Sequence, residues 1–422
     1  MTRVLAIGDS HFGPNERNAD RYASLDQIIV WGTSRPLGAW LHAGDLNHAK
    51  MTIEDRNELV PRFQRMADHA PVCMVVGNHD VDGDLRVFSK LKAKYPIVVI
   101  ERPEVHRLEL ATGGHAAIFG VPYIHRGGLV GAGVNHDDLG QVARQLVEPV
   151  FMAAAHEMEA AADRGDLPVF LAHLAIGGAL MSTGQPSVGR EIEVDPGLLG
   201  RLGDIPKLLG HIHRHQAIHG AWYLGSIARM DHGENEEKVF GVLTFSSPRE
   251  WTIEFEPLAV PAQHLIEGRL TRDGFTIDRI DGADACACKG TGVDNAMGSV
   301  TQCECGSGGW IGADVKVRYH YQRSERSAID LAHIYATVAG CRSLKLDPIA
   351  AIEREVRAPE VAQAVTVEAK AEAYCTRRQI EWTQTIAAKL TALQQQSPEA
   401  ILAAVSAIAA DAGTVEVRKA VA

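Results

Sequence analysis

With 422 residues the chain exceeds the roughly 250–300 at which a single core stops growing, so two or three domains are expected. Hydrophobic residues at 46% and charged ones at 23% are ordinary for a globular protein, and no apolar run approaches the roughly 20 residues of a membrane helix, so no span is expected. A formal net charge of −11 excludes a broad basic surface that would hold nucleic acid by charge alone.

The opening MTRVLAIGDSHFG breaks its short apolar run at Gly8 and Asp9, so it reads as a first strand and not as a signal peptide, and a cytoplasmic location is expected. RVLAIGD, AWLHAGD, VCMVVGNHD, AAIFGVP, VFLAHLA and PKLLGHIH are predicted strands, and residues 52–69, 83–94 and 138–164 predicted helices. Most of these strands end in Gly or His beside polar groups, which puts the polar groups where open α/β sheets place ligands. AWYLGSI, KVFGVLTF and WTIEFEPL predict a second set of strands. The fold class is therefore α/β, a β-sandwich core flanked by helices.

PLAVPA at 257–262 marks a boundary, so residues 1–256 form the predicted core. Residues 257–358 form a small α+β domain with predicted strands GFTIDRI, ADVKVRYHY and CRSLKLDPI and a helix over SAIDLAHIYATVAG. A Cys- and Gly-rich insert, 284–312, lies between its first two predicted strands. Residues 359–422 turn to Ala, Glu, Gln, Lys and Val and predict a helical hairpin, 360–396 and 398–411, broken at Ser397-Pro398.

Hydrolysing a phosphodiester requires a nucleophile at neutral pH, neutralisation of charge at phosphorus and stabilisation of a leaving alkoxide, and two metal ions about 3.5–4 Å apart supply all three. Such a site needs a short bridging carboxylate ringed by His, Asp and Asn. The sequence offers that set in order: Asp9-Ser10-His11, Gly44-Asp45, Gly77-Asn78-His79-Asp80, Ala172-His173 and Gly210-His211-Ile212-His213. Residues i and i+2 on an extended segment point the same way, so Asp9 with His11, and His211 with His213, can face one pocket. The preceding glycines are expected to let the backbone turn sharply there. An isolated DxH or HxH is usually an accident of surface or core; five such motifs after five strands are not.

The five motifs resemble those of the calcineurin-like metallophosphoesterases. The resemblance implies a first ion on Asp9, His11, Asp45 and His213, and a second on Asp45, Asn78, His173 and His211, with Asp45 bridging. It implies in-line attack of water on phosphorus, with His79 contacting the phosphate or protonating the leaving oxygen and Asp80 orienting His79. GDLNH with His48, FGVPY, AHLAIGGA, GHIHRHQ and YLGSIARMDHGENEEKVFGVL resemble the SbcD-type DNA repair nuclease, a relative of the meiotic-recombination-eleven nuclease, over about residues 1–256. His215 stands where that family has Pro and competes with His213 as ligand; His125, His219 and His232 are expected outside the ligand set and His42 is expected to be packed.

Among the seven cysteines, Cys286-x-Cys288 and Cys303-x-Cys305 enclose fourteen residues and could hold a structural Zn²⁺ on four thiolates, or stay reduced in a loop. Cys73, Cys341 and Cys375 read as inert single thiols. The resemblance implies a Mn²⁺-dependent 3′ to 5′ exonuclease on duplex ends, and an endonuclease on single strands or hairpins, in double-strand break repair or recombination. It also implies DNA as substrate, an SMC-like ATPase of the SbcC type bound by the tail, and a homodimer. A phosphodiesterase for cyclic nucleotides or other small diesters, and a non-catalytic DNA-end clamp, are the alternatives.

Overall fold

The computed structural model describes residues 1–13, 17–125, 139–182, 192–232, 234, 236–282, 293–294, 301–302, 310, 312–351 and 359–394. The chain divides into two compact units, Met1–Ala351 and Ile352–Ala422.

In the first unit, one six-stranded sheet runs β14 (Glu250–Pro257), β13 (Val239–Ser247), β1 (Thr2–Ile7), β2 (Ala39–His42), β3 (Val72–Val75), β4 (Ile97–Ile100). The stretch from β1 to β4 is parallel, and β13 and β14 close it antiparallel. The second sheet runs β11 (Gln216–Ile218), β12 (Ala221–Tyr223), β10 (Lys207–Gly210), β7 (Leu167–His173), β6 (His115–Val121), β5 (Glu104–Glu109). Its centre, β12-β10-β7-β6, is again parallel.

Alternation along each strand divides the apolar residues between two faces. Val4, Ala6, Leu41, Cys73 and Val75 of the first sheet share a buried cluster with Ala116, Ile118, Val169, Leu171 and Leu208 of the second. The opposite face of the first sheet, through Leu5, Ile7 and Trp40, packs on the helices Asn18–Thr33 and Ile53–His69. That of the second, through Phe119, Phe170 and Leu209, packs on the helix Leu139–Asp163. The result is a four-layer helix–sheet–sheet–helix sandwich, the fold class expected.

Helix Ile53–His69 starts at a capping box in which Thr52 accepts from the Asp55 backbone and the Asp55 carboxylate accepts from the Thr52 backbone. Asn18 and Tyr22 also donate to Asp55, which ties the two helices of that layer together. The first of them, Asn18–Thr33, is absent from the sequence reading: its buried face mixes Arg21, Ser24 and Gly32 with Leu25, Ile28 and Ile29, so the apolar period is blurred. The helix expected over 83–94 is only a short 3-10 turn, Asp84–Lys90.

A third sheet, β16 (Gly274–Gly282), β15 (Gln263–Thr271), β19 (Asp314–Gln322), β20 (Ser343–Ala351), carries its own buried cluster, with Ile266, Val315, Val317 and Ile334. Two-residue pairings complete the strands, β8 (Ala175–Ile176) with β9 (Glu193–Val194) and β17 (Val293–Asp294) with β18 (Thr301–Gln302). Strand β15 is not among the expected strands, and the helix expected over 327–340 is confined to Ala332–Thr337. Cys286, Cys288, Cys303 and Cys305 lie outside the described residues.

In the second unit the helix expected over 360–396 is three pieces, Pro359–Gln363, Val367–Arg377 and Gln384–Gln394, and the stretch 398–411 lies outside the described residues. Gln379, with φ of 57°, turns the chain into a left-handed conformation that ends the middle helix. No helix among the described residues is long and apolar enough to cross a membrane.

Candidate metal centre

Parallel strands β1, β2, β3, β7 and β10 all deliver their C-terminal ends to one edge of the sandwich, and the predicted motifs follow those ends. Asp9, His11, Asp45 and His173 are buried there, with Asn78, His79, His211 and His213 half-buried and His48 exposed.

Two donor sets form. The ligand atoms of Asp9, His11 and His213 lie within 4.8 Å of one another, with His11 Nε2 and His213 Nε2 2.9 Å apart. In the other set, Asn78 Oδ1 is 3.0 Å from His173 Nε2 and 2.9 Å from His211 Nδ1. Asp45 Oδ2 stands between the sets, 3.5 Å from His11 Nε2 and 3.4 Å from His173 Nε2. That is the placement a bridging carboxylate requires.

The donor chemistry fits two cations. Asp9 Oδ2 is fully buried and has no hydrogen-bond partner among the described residues. Burial pushes the Asp9 carboxyl up to about 6, against the nearby His173. Burial opposes the Asp45 charge too, but His173 and His11 hold its carboxyl far below the usual carboxylate range. Burial alone would lower the His173 pKa, yet Asp45 and Asp9 raise it to about 9, so this cavity favours positive charge. His11, depressed by burial, and His213, lowered to about 4 by burial and then by Lys238, are neutral imidazoles, the form that binds metal. His173 Nδ1 donates to the Ala43 carbonyl at 2.7 Å, which leaves Nε2 for the ligand role.

The sharp turns fall mostly on the ligand residues and not on the glycines before them. Left-handed backbone falls on His11 (φ 49°), Asp45 (52°) and His211 (96°), and Gly44 is the one motif glycine that shares it, at 98°. Three ligand residues thus hold a conformation costing on the order of 1–3 kcal/mol each, which surrounding contacts must enforce. His11 is pinned by its N–H to the Asp45 carbonyl at 2.9 Å and by the buried Arg21 guanidinium on its own carbonyl. Gly77 serves close approach instead: a Cβ there would stand 2.1 Å from Asp45 Oδ1.

His215, the competing ligand, is turned away. Its Nδ1 meets the Tyr223 carbonyl at 2.9 Å and its ring lies 4.2 Å from that of Phe255. His42 is packed as expected, accepting from the Gly44 N–H and meeting Ser10 Oγ at 2.9 Å, and burial lowers its pKa to about 3. Asp80 does not perform the expected orientation of the His79 ring. Its carboxylate accepts from the backbone N–H groups of Leu46, Asn47 and Gly77, while His79 Nδ1 donates to the His48 carbonyl at 3.0 Å. Asp80, pushed up to about 6 by burial, therefore knits the second and third motif loops together.

On the rim, the His48 and His79 rings stack at 5.0 Å and both lie edge-on to His11, at 5.6 and 4.9 Å. Tyr123 was not singled out from the sequence as a site residue. It follows β6, a strand of the same edge, and its ring packs 5.3 Å from His211 and 6.1 Å from His173. Arg21 was missed too, because nothing in the sequence marks a helical Arg as buried beneath a ligand.

Residues 2–215 match the calcineurin-like phosphoesterase family, half of the chain. The chain belongs to that family. It is a metallophosphoesterase, a phosphoester hydrolase that uses divalent metal ions. Among solved structures, "GAP50 the anchor in the inner membrane complex of Plasmodium" is similar at 11% identity and a TM-score of 0.36, over 61% of this chain and 84% of that one.

Proposed function

We propose that the chain is a DNA-cutting phosphodiesterase, the nuclease subunit of an SbcC–SbcD-like complex acting on DNA ends and hairpins in break repair or recombination. The observation that carries it is the stacked pair of His48, exposed, and His79, half-buried, on the rim beside His11. Two imidazoles on an exposed edge suit a polymer's successive phosphates better than a small diester, which needs an enclosing pocket. Two divalent ions at this site supply charge neutralisation at phosphorus and activation of water. Mixed imidazole, carboxylate and amide donors favour Mn²⁺ or Fe²⁺ over Mg²⁺, and the family resemblance points to Mn²⁺.

The chain's own residues do the rest. Asp45 holds the two donor sets at a fixed separation. His79, its Nδ1 committed to the His48 carbonyl, keeps Nε2 for a phosphate oxygen or for the proton that the leaving alkoxide takes. Exposed apolar side chains in the second unit, Val365, Tyr374 and Ile380, support a partner-binding role for the tail, with an SMC-like ATPase as the partner. With a net charge of −11, DNA must be retained by ions and partner together, and a homodimer would add a second contact. The region 257–358 would restrict how duplex approaches.

The test is purified chain with Mn²⁺ and end-labelled duplex, with and without the ATPase, beside a small chromogenic phosphodiester. Metal-dependent shortening of the duplex is expected. Turnover of the small diester but never of DNA would replace this reading with a small-molecule phosphodiesterase, and turnover of neither, with both ions bound, with a DNA-end clamp.

A further inference from the structure

The segment Gly225–Lys238 holds the backbone of two members of the first donor set. Asp9 N–H donates to the Gly225 carbonyl at 3.1 Å, Ile227 N–H donates to the Asp9 carbonyl at 3.0 Å, and Ser226 N–H donates to the His213 carbonyl at 3.0 Å. Gly225 wedges between the two motif loops with φ of 76°, and a Cβ there would meet the His213 carbonyl at 2.9 Å. At the far end of the segment stands Lys238, 1% exposed. Its ammonium pairs with Glu234 at 2.7 Å and Glu236 at 2.8 Å, and donates to Ser226 Oγ at 2.9 Å and to the His213 carbonyl at 3.3 Å.

We propose that Lys238 is a positioning residue for the ion held by Asp9, His11 and His213, acting through the carbonyl of His213 and the hydroxyl of Ser226. A buried charge is a costly way to join two loops, and well-packed apolar side chains do so as stably or better. What the ammonium adds is direction. It anchors one carbonyl and one hydroxyl while two carboxylates fix Nζ, so the His213 loop cannot swing away from His11. Glu234 in turn accepts from the N–H groups of Met230 and Asp231, and the Met230 sulfur lies against Arg21, whose guanidinium holds the His11 carbonyl. One segment therefore grips the backbone of Asp9 and His213 directly and that of His11 through Arg21. The Lys238 ammonium bonds the loop of His213, a member of the first donor set, so the effect is expected to fall on that ion. The inference rests on the two-ion reading of the centre and not on the identity of the phosphodiester.

Lys238→Met alone strands the buried Glu234 carboxylate and destabilises the fold for that reason, so the informative variant is Glu234→Gln with Lys238→Met. Full-length protein, freed of metal, is titrated with Mn²⁺ by calorimetry and followed by electron paramagnetic resonance, with thermal unfolding in chelator as the fold control. The double variant is expected to unfold cooperatively, to bind one ion as the wild type does and the other roughly 10–100-fold more weakly. The spin-coupled spectrum of an ion pair gives way to that of an isolated ion at stoichiometric Mn²⁺ and returns at excess. Wild-type affinity for both ions in the double variant overturns the proposal, whereas a wild type that binds no pair overturns the two-ion reading instead. If the double variant does not fold, Ser226→Ala decides: a few-fold weakening of one ion supports the clamp, and unchanged binding of both removes it.

Discussion

His213 Nε2 lies 2.9 Å from His11 Nε2. Two neutral imidazoles can share one proton across that gap, but with Asp9 Oδ2 unpartnered beside them the arrangement is better satisfied by a cation that all three can bind. His213→Ala should therefore lower bound Mn²⁺ from two ions to one per chain and cut turnover by more than the roughly 10–100-fold that loss of an outer partner costs. His215→Ala, whose ring sits against Phe255 and the Tyr223 carbonyl, should keep both ions. Equal metal loss in the two variants would reverse the assignment.

Gly77 offers a separate test of the bridge. A methyl group there would stand 2.1 Å from Asp45 Oδ1 and 2.3 Å from the Asp45 nitrogen, so either the third loop withdraws with Asn78 or the carboxylate rotates. Gly77→Ala should cost about 1–3 kcal/mol of stability, as overpacking does, and abolish tight binding of the second ion. Thermal unfolding and metal analysis read the two effects separately. A variant that keeps both ions would show that the loop has more room than its contacts imply.

Much of this centre was legible because its chemistry is local. Each ligand follows a short apolar strand, and residues two apart share a face, so Asp9 with His11 and His211 with His213 could be paired without coordinates. Less legible was whatever depends on long-range packing. Gly77 reads as a turn residue but is a contact residue, because Asp45 arrives from 32 positions earlier. Asp80 reads as the partner of its neighbour His79, yet two of the three backbone donors that claim it come from the Asp45 loop and the third is Gly77. Helix Asn18–Thr33 escaped because Arg21, buried under His11, and Gly32, packed on Trp40, occupy its inner face where a period-based reading looks for Leu or Ile.

His79 and His48 separate chemistry from substrate. The His79 ring is held through Nδ1 and groups with His11 and His48 at the rim, outside the two assigned donor sets, so His79→Ala should retain both ions while turnover of any phosphodiester falls roughly 10²–10⁴-fold. His48, exposed and stacked on it, should matter only for a substrate long enough to reach the rim, so His48→Ala should slow DNA cleavage and spare a small diester. Steady-state kinetics on both substrates with metal content measured in parallel checks this. Equal loss on both substrates in His48→Ala would remove its assignment to DNA.

Away from the ligands, His232 gives the fold a pH dependence of definite sign. Its ring nitrogens lie 2.7 and 3.0 Å from the Arg17 guanidinium, and burial followed by Arg17 lowers its pKa from 6.5 to about 4, with Lys316 and Lys345 adding to the effect and Asp314 opposing it. Between those two values the unfolded chain binds the proton more readily than the folded one, so stability rises with pH across that window and is lost as pH falls through it. A tenfold difference in proton affinity between the folded and unfolded chain corresponds to about 1.4 kcal/mol, and because the ring is only half-buried, screening reduces the total to on the order of 1–2 kcal/mol. His232→Gln keeps an acceptor for Arg17 but does not titrate. Denaturant unfolding in chelator at about pH 7 and about pH 4.5 should therefore show the wild type losing more stability on acidification than the variant, by that amount. Parallel loss in the two proteins would mean that His232 titrates alike folded and unfolded.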